Sequence, residues 1–248
     1  MRTNAARRQQ EPGEGLVAEY SGINLYAEHS LHAQVKLHLA GPGDRLESRV
    51  AGRVVDLVRS GGELVEVQTG SLGKIVPKVL ALAAEGHKVR VVYPVPAERE
   101  IRRLDPKTEE LLSVRRSPKR GDLYSLFDEL VQAKGLIASR NVTVEVLLVR
   151  TAEVKTRDGS GSWRRRGDRT VDRELLEVLS SRSFRTRGQW LALIPKALPP
   201  PWTSVALGEA LGIGADRARK ILYCLAREGL LEEGDREGRR KTYRRAAR

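Results

Sequence analysis

Two short β-branched runs separated by a glycine turn constrain this chain most. Val54-Val55-Asp56-Leu57-Val58 and Leu64-Val65-Glu66-Val67-Gln68 flank Ser60-Gly61-Gly62. Runs rich in Val and Leu bounded by a Gly-Gly turn read as a hairpin, so strands are predicted over Arg49–Arg59 and Glu63–Gln68. Before them, an apolar pattern from Gly22 to Ala40 predicts a helix that Gly41-Pro42-Gly43 stops. After them, Pro77–Glu85 predicts a helix with Pro in its first turn, ended by Gly86, and His87–Val95 a buried strand. Helix, hairpin, helix and strand in that order predict an α/β class. A further helix over Asp122–Ala133 and a strand over Val142–Arg150 extend it.

The charge narrows the partners. Lys and Arg total 45 against 32 Asp and Glu, a formal net charge of +13. An excess that large favours a polyanion, DNA before RNA, over a neutral ligand. No apolar run reaches the ~18 residues of a membrane span, and Met1–Gly15 carries no apolar signal core. The expected setting is therefore cytoplasmic, away from membranes. Cys224 is the single cysteine, which excludes an intrachain disulfide and a cysteine-based zinc site; a half-buried inert thiol is expected.

The expected organisation is a loose arm over 1–15, an α/β domain over 16–157, a basic linker or hairpin tip over 158–171, and a helical domain over 172–248. In the last of these, Thr203–Leu211 starts on a capping Thr, Gly212-Ile213-Gly214 forms a turn, and Ala215–Glu228 forms a second helix. At 100° per residue its apolar face holds Ala218, Ile221, Leu222 and Leu225, and its polar face Arg219, Lys220, Tyr223 and Arg227. The segment 230–244 then reads as strand, basic tip and strand. Arg236, Arg239, Arg240 and Lys241 lie at that tip, where they can reach phosphates or a minor groove. Helix, turn, helix and basic hairpin resemble a winged helix-turn-helix domain, which implies DNA binding. Arg115, Arg116, Lys119 and Arg120 around Pro118 form a second basic segment, read either as a phosphate grip or as a solvated loop.

Strand alternation puts Glu66 and Gln68 on one face, and hairpin pairing can set Asp56 beside Glu66. Two carboxylates so placed repel unless a cation sits between them, and oxygen-only ligands suit Mg²⁺ or Mn²⁺. Glu28 falls on the apolar stripe of Leu31, Val35 and Leu39, where a carboxylate needs a partner. His29 and His32 share a helix face without a third soft ligand, which argues against zinc.

These residues resemble the PD-(D/E)XK nuclease superfamily over residues 20–95. The resemblance implies a restriction-endonuclease-like core with Glu28 as the helix-borne acid, Asp56 as the hairpin Asp, and Glu66-Val67-Gln68 in place of the acidic-X-Lys motif. Gln68 departs from the usual Lys, a charge that Lys74 or Lys78 could supply. It further implies a metal-dependent endodeoxyribonuclease in which Asp56, Glu66 and Glu28 hold Mg²⁺ or Mn²⁺ and Gln68 positions the attacking water. A catalytically silent regulator that uses the same fold for DNA grip or homodimerisation stays open, as does an RNA-processing role.

Overall fold

The structure is a computed structural model that describes residues 30–157 and 168–247. Helix α1 (Leu31–Leu39) begins at Ser30, whose hydroxyl accepts from the Ala33 N–H. Strands β1 (Arg45–Val50) and β2 (Arg53–Val58) form a tight antiparallel hairpin. The single run expected over Arg49–Arg59 is thus two strands. Ala51 and Gly52 between them take φ values of 48° and 75°, the left-handed conformation that a two-residue hairpin turn requires. The predicted turn at 60–62 leads into β3 (Leu64–Val67), every residue of which is buried.

Helix α2 (Val76–Ala84) carries Pro77 in its first turn, where the missing N–H costs nothing. It returns the chain to β4 (Val89–Leu104), which lies parallel to β3. Strand β5 (Leu111–Arg116) folds back antiparallel on the distal half of β4. Arg115 and Arg116 therefore belong to a strand edge, and only Lys119 and Arg120 lie in the predicted loop. A short 3-10 turn and α3 (Leu126–Leu130) precede β6 (Val142–Thr156), parallel to β4 along both full lengths.

The helical pattern expected from Asp172 is instead β7 (Arg169–Phe184), antiparallel to β6. Glu174-Leu175-Leu176-Glu177-Val178 has helix-like spacing, but pairing with β6 from Thr156↔Arg169 to Val144↔Phe184 overrides local preference. The result is a mixed α/β architecture around a seven-stranded sheet ordered β1-β2-β3-β4-β6-β7, with β5 beside distal β4. The basic stretch 158–167 lies outside the described residues.

α1 covers one face of the sheet, where Leu31 and Val35 pack with Leu57, Val65, Val67 and Val92. α2 and α3 cover the other, and the core on that side runs without a break into the C-terminal elements. Trp190 on α4 (Arg187–Leu191) stacks on Phe184 at 4.4 Å between ring centres and meets Phe127 edge-on at 6.2 Å.

α5 (Ser204–Leu211) is capped by the Thr203 hydroxyl, as the sequence predicts, and stops at Gly212 with φ 64°. α6 (Ala215–Arg227) follows, then the hairpin β8 (Leu231–Glu237) and β9 (Arg240–Arg245). Trp202 forms a bridge to Tyr243 that ties α5 to this hairpin. Among the described residues no helix is long and apolar enough to cross a membrane.

Candidate active site and basic groove

β2 and β3 pair at Leu57↔Val65 and Val58↔Leu64, and one step further Asp56 faces Glu66. There the ladder gives way to side chains. The Val67 N–H donates to Asp56 Oδ2 at 2.8 Å, and His32 Nε2 on α1 meets the same oxygen at 3.2 Å. Glu66, 2% exposed, turns towards α2, where Lys78 Nζ contacts its Oε2 at 2.5 Å. Lys78 also donates to the Val54 carbonyl at 3.0 Å.

Burial pushes the Asp56 carboxyl up, but the bonds from His32 and Val67 outweigh it and hold the group below the usual range. His32 is raised, chiefly by its bond to Asp56. Glu66 is raised by burial and by the Asp56 charge, against the pull of Lys78. Beside the repulsion that Asp56 exerts on Glu66, each acid has its own cationic or hydrogen-bonding partner on a helix, His32 on α1 and Lys78 on α2.

One oxygen of each of these two acids has no hydrogen-bond partner among the described residues. Glu66 Oε1 is buried without a hydrogen bond, and Asp56 Oδ1 has no partner. No three His, Cys, Asp or Glu side chains group closely enough among the described residues to hold a metal. Glu28, the third expected acid, and His29 lie outside the described residues. The orphaned, buried Glu66 Oε1 and the unpartnered Asp56 Oδ1 are hard oxygen donors of the kind magnesium takes, an ion that keeps several waters and commonly uses only one or two protein carboxylates with substrate phosphates.

Gln68 lies at the end of β3, and its Nε2 donates to the Ser71 carbonyl at 2.7 Å. Lys74 is exposed on the 3-10 turn 72–74 and does not reach the acids, so of the two lysines that could replace a Lys at 68, Lys78 is the one beside them. His32 enters the site as a partner of Asp56. The sequence signal available for it was its place on the predicted helix that precedes the hairpin.

A groove of about 550 Å³ runs between α6 and the β8–β9 hairpin. Arg219, Lys220, Tyr223, Arg239, Arg240 and Lys241 line it. Tyr223 is exposed, and Arg239, Arg240 and the nearby Arg236 make no ion pair among the described residues. Lys241 pairs with Glu233 at 2.8 Å. Lys220 pairs with Asp128 of α3 at 2.7 Å, which raises its pKa, and Arg219 pairs with Asp216.

Arg227, expected on the outward face, is turned inward. Its guanidinium donates to the Leu130 and Val131 carbonyls at 2.9 and 2.5 Å and stacks on Tyr223. Glu228 accepts the Gly135 N–H at 2.9 Å, and Arg217 pairs with Asp122 at 3.1 Å. Sequence reasoning missed this docking of α6 on α3 because its partners lie about a hundred residues upstream. Of the second basic segment, Arg120 pairs with Glu98 at 3.2 Å, while Arg115, Arg116 and Lys119 are exposed. Cys224 is fully buried, not half-buried, and its thiol is pushed up to about 12 by that burial.

Comparison with known proteins adds a family. No solved structure matches the chain. A protein of Treponema pallidum (strain Nichols), described as an uncharacterized protein, is 32% identical over 222 residues, which are 90% of this chain and 87% of its own length. The family described as "Domain of unknown function (DUF8091)" matches residues 29–185, from the start of α1 to the end of β7. That match spans more than half of the chain, which therefore belongs to the DUF8091 family.

Proposed function

We propose that this protein is a magnesium-dependent endonuclease acting on DNA, with a PD-(D/E)XK-like core and a winged-helix C-terminal region. One observation carries the reading. In the order α1, β1, β2, β3, α2, β4, with β3 parallel to β4, Asp56, Glu66 and Lys78 gather where β2 and β3 part. An Asp, a Glu and a Lys at those places are what the resemblance implies, with the lysine moved from the strand to the following helix.

Asp56 Oδ1 and Glu66 Oε1 would hold the magnesium, which supplies Lewis-acid polarisation of the scissile phosphate when bound. His32 and the Val67 N–H fix the Asp56 carboxylate in its ionised form, ready to ligate. Lys78 keeps a positive charge beside Glu66, from which it can turn to an incoming phosphate. The α6–hairpin groove supplies a cationic wall for the DNA backbone, and Tyr223 a flat contact surface.

Thermal unfolding with and without magnesium tests the site. The wild type gains melting temperature with the metal, because a ligand of the folded state stabilises it by mass action. Asp56→Asn loses that gain. Absence of divalent-ion binding, with DNA or without, rejects the enzyme reading.

A second reading, a DNA-binding regulator with a silent core, draws on the Gln68 amide being tied to Ser71 and on Lys78 neutralising Glu66. Magnesium-dependent cleavage by the wild type separates the two, being expected of the enzyme and not of the silent core; Gln68→Lys leaves an active enzyme active or revives a silent one.

A further inference from the structure

Strand β5 is exposed along its whole length. Leu111, Leu112 and Val114 are 56%, 58% and 52% exposed, and among the described residues the strand pairs on one side only, with β4. Natural sheets blunt such edges with proline, short strands or charges among the apolar positions. Here the charges stand only at the ends, in the order Glu109-Glu110, Leu111-Leu112-Ser113-Val114, Arg115-Arg116.

Arg115 and Arg116 have no ion pair among the described residues, and the Glu110 carboxylate accepts only from Thr108, at 3.4 Å. The turn before the strand is held in place: Asp105 accepts the Lys107 and Thr108 N–H groups at 2.8 and 3.0 Å. The open edge is therefore preorganised. The Ser117 N–H donates to the Arg99 carbonyl of β4, so by strand alternation the N–H groups of Val114 and Arg116 face outward, without a partner among the described residues.

This edge is complementary to itself in one direction only. A second copy added parallel would set acid beside acid and base beside base. Added antiparallel, it sets the acids of each copy beside the arginines of the other, with the apolar residues between them.

We propose that β5 is a homodimer edge, pairing antiparallel with β5 of a second copy across a two-fold axis near Ser113. Leu112 then lies opposite Val114 of the second copy, and Glu110 comes to its Arg116. The interface is isologous, so every contact occurs twice and the assembly closes at two. Arg116 is thereby assigned to subunit pairing rather than to a phosphate. Nothing in this depends on the nuclease reading, since the edge lies on the distal sheet, away from Asp56 and Glu66.

Sedimentation equilibrium on the full chain, freed of nucleic acid, tests it. A concentration-dependent dimer is expected. Leu112→Lys with Val114→Lys gives a monomer with an unchanged far-ultraviolet spectrum. Arg116→Glu weakens dimerisation about tenfold, as two cross-strand charge pairs become repulsive. Glu110→Arg added to Arg116→Glu restores it, an outcome that a merely misfolded variant would not give. A wild type that stays monomeric at every concentration, or a dimer indifferent to the charge reversal, overturns the proposal. If the dilysine variant fails to fold, the charge-reversal pair decides alone.

Discussion

Lys78 and Glu66 form the pair on which the site's stability rests. Removing the ammonium by Lys78→Ala leaves an almost fully buried carboxylate without its cation, at a cost of about 2 kcal/mol near neutral pH. Glu66 is already raised above its ordinary value of 4.5 and rises further without Lys78. A carboxyl with a raised folded pKa favours folding most below 4.5, and loses that contribution as pH climbs through the raised value. The deficit of Lys78→Ala against wild type is therefore expected to shrink as pH falls, which urea unfolding at several pH values measures. A constant deficit would make Lys78 a packing residue only. Cys224 gives a second test at this scale. Buried among the core residues of α6 and pushed up to about 12, it should resist thiol reagents in mildly alkaline buffer until the protein unfolds. Rapid labelling of the native chain would show that α6 opens.

α6 serves two neighbours, and its arginines divide between them. Arg227→Ala removes the donors to the Leu130 and Val131 carbonyls, so it should cost about 2 kcal/mol of stability and leave the salt dependence of DNA binding unchanged. Arg239→Ala with Arg240→Ala should do the reverse, lowering the log–log salt slope by about two while the melting temperature holds. Titrations at several salt concentrations distinguish these outcomes, and a flattened slope for Arg227→Ala would return that residue to the interface. The elements with local punctuation were legible in the sequence: the turn at 60–62, Pro77 opening α2, Thr203 capping α5. The elements defined by distant pairing were not. β7 has helix-like apolar spacing and becomes a strand because β6 offers it an edge, and β4 runs on to Leu104 through polar residues that β5 and β6 pair. That Asp56 and Glu66 lie on neighbouring strands was legible from the hairpin pattern, whereas their partners His32 and Lys78 sit on two helices whose docking the hairpin does not encode.

Across the whole molecule, one apolar core joins the α2–α3 side of the sheet to α5 and α6, with Trp190 wedged between Phe127 and Phe184. Calorimetry should accordingly find a single cooperative transition, not one for the sheet and another for the C-terminal helices. Two transitions would mean that the α3–α6 contact is weak and that the C-terminal region moves as its own body. On the proposed reading, the same frame carries both the carboxylates Asp56 and Glu66 and the cationic groove, and the +13 net charge favours a polyanionic partner. Cleavage of supercoiled, linear, branched and single-stranded DNA, with magnesium supplied or chelated, tests this account most directly. It predicts magnesium-dependent strand scission on at least one of these substrates, abolished by Asp56→Asn; intact DNA on all four, or cleavage that Asp56→Asn leaves unchanged, would contradict it.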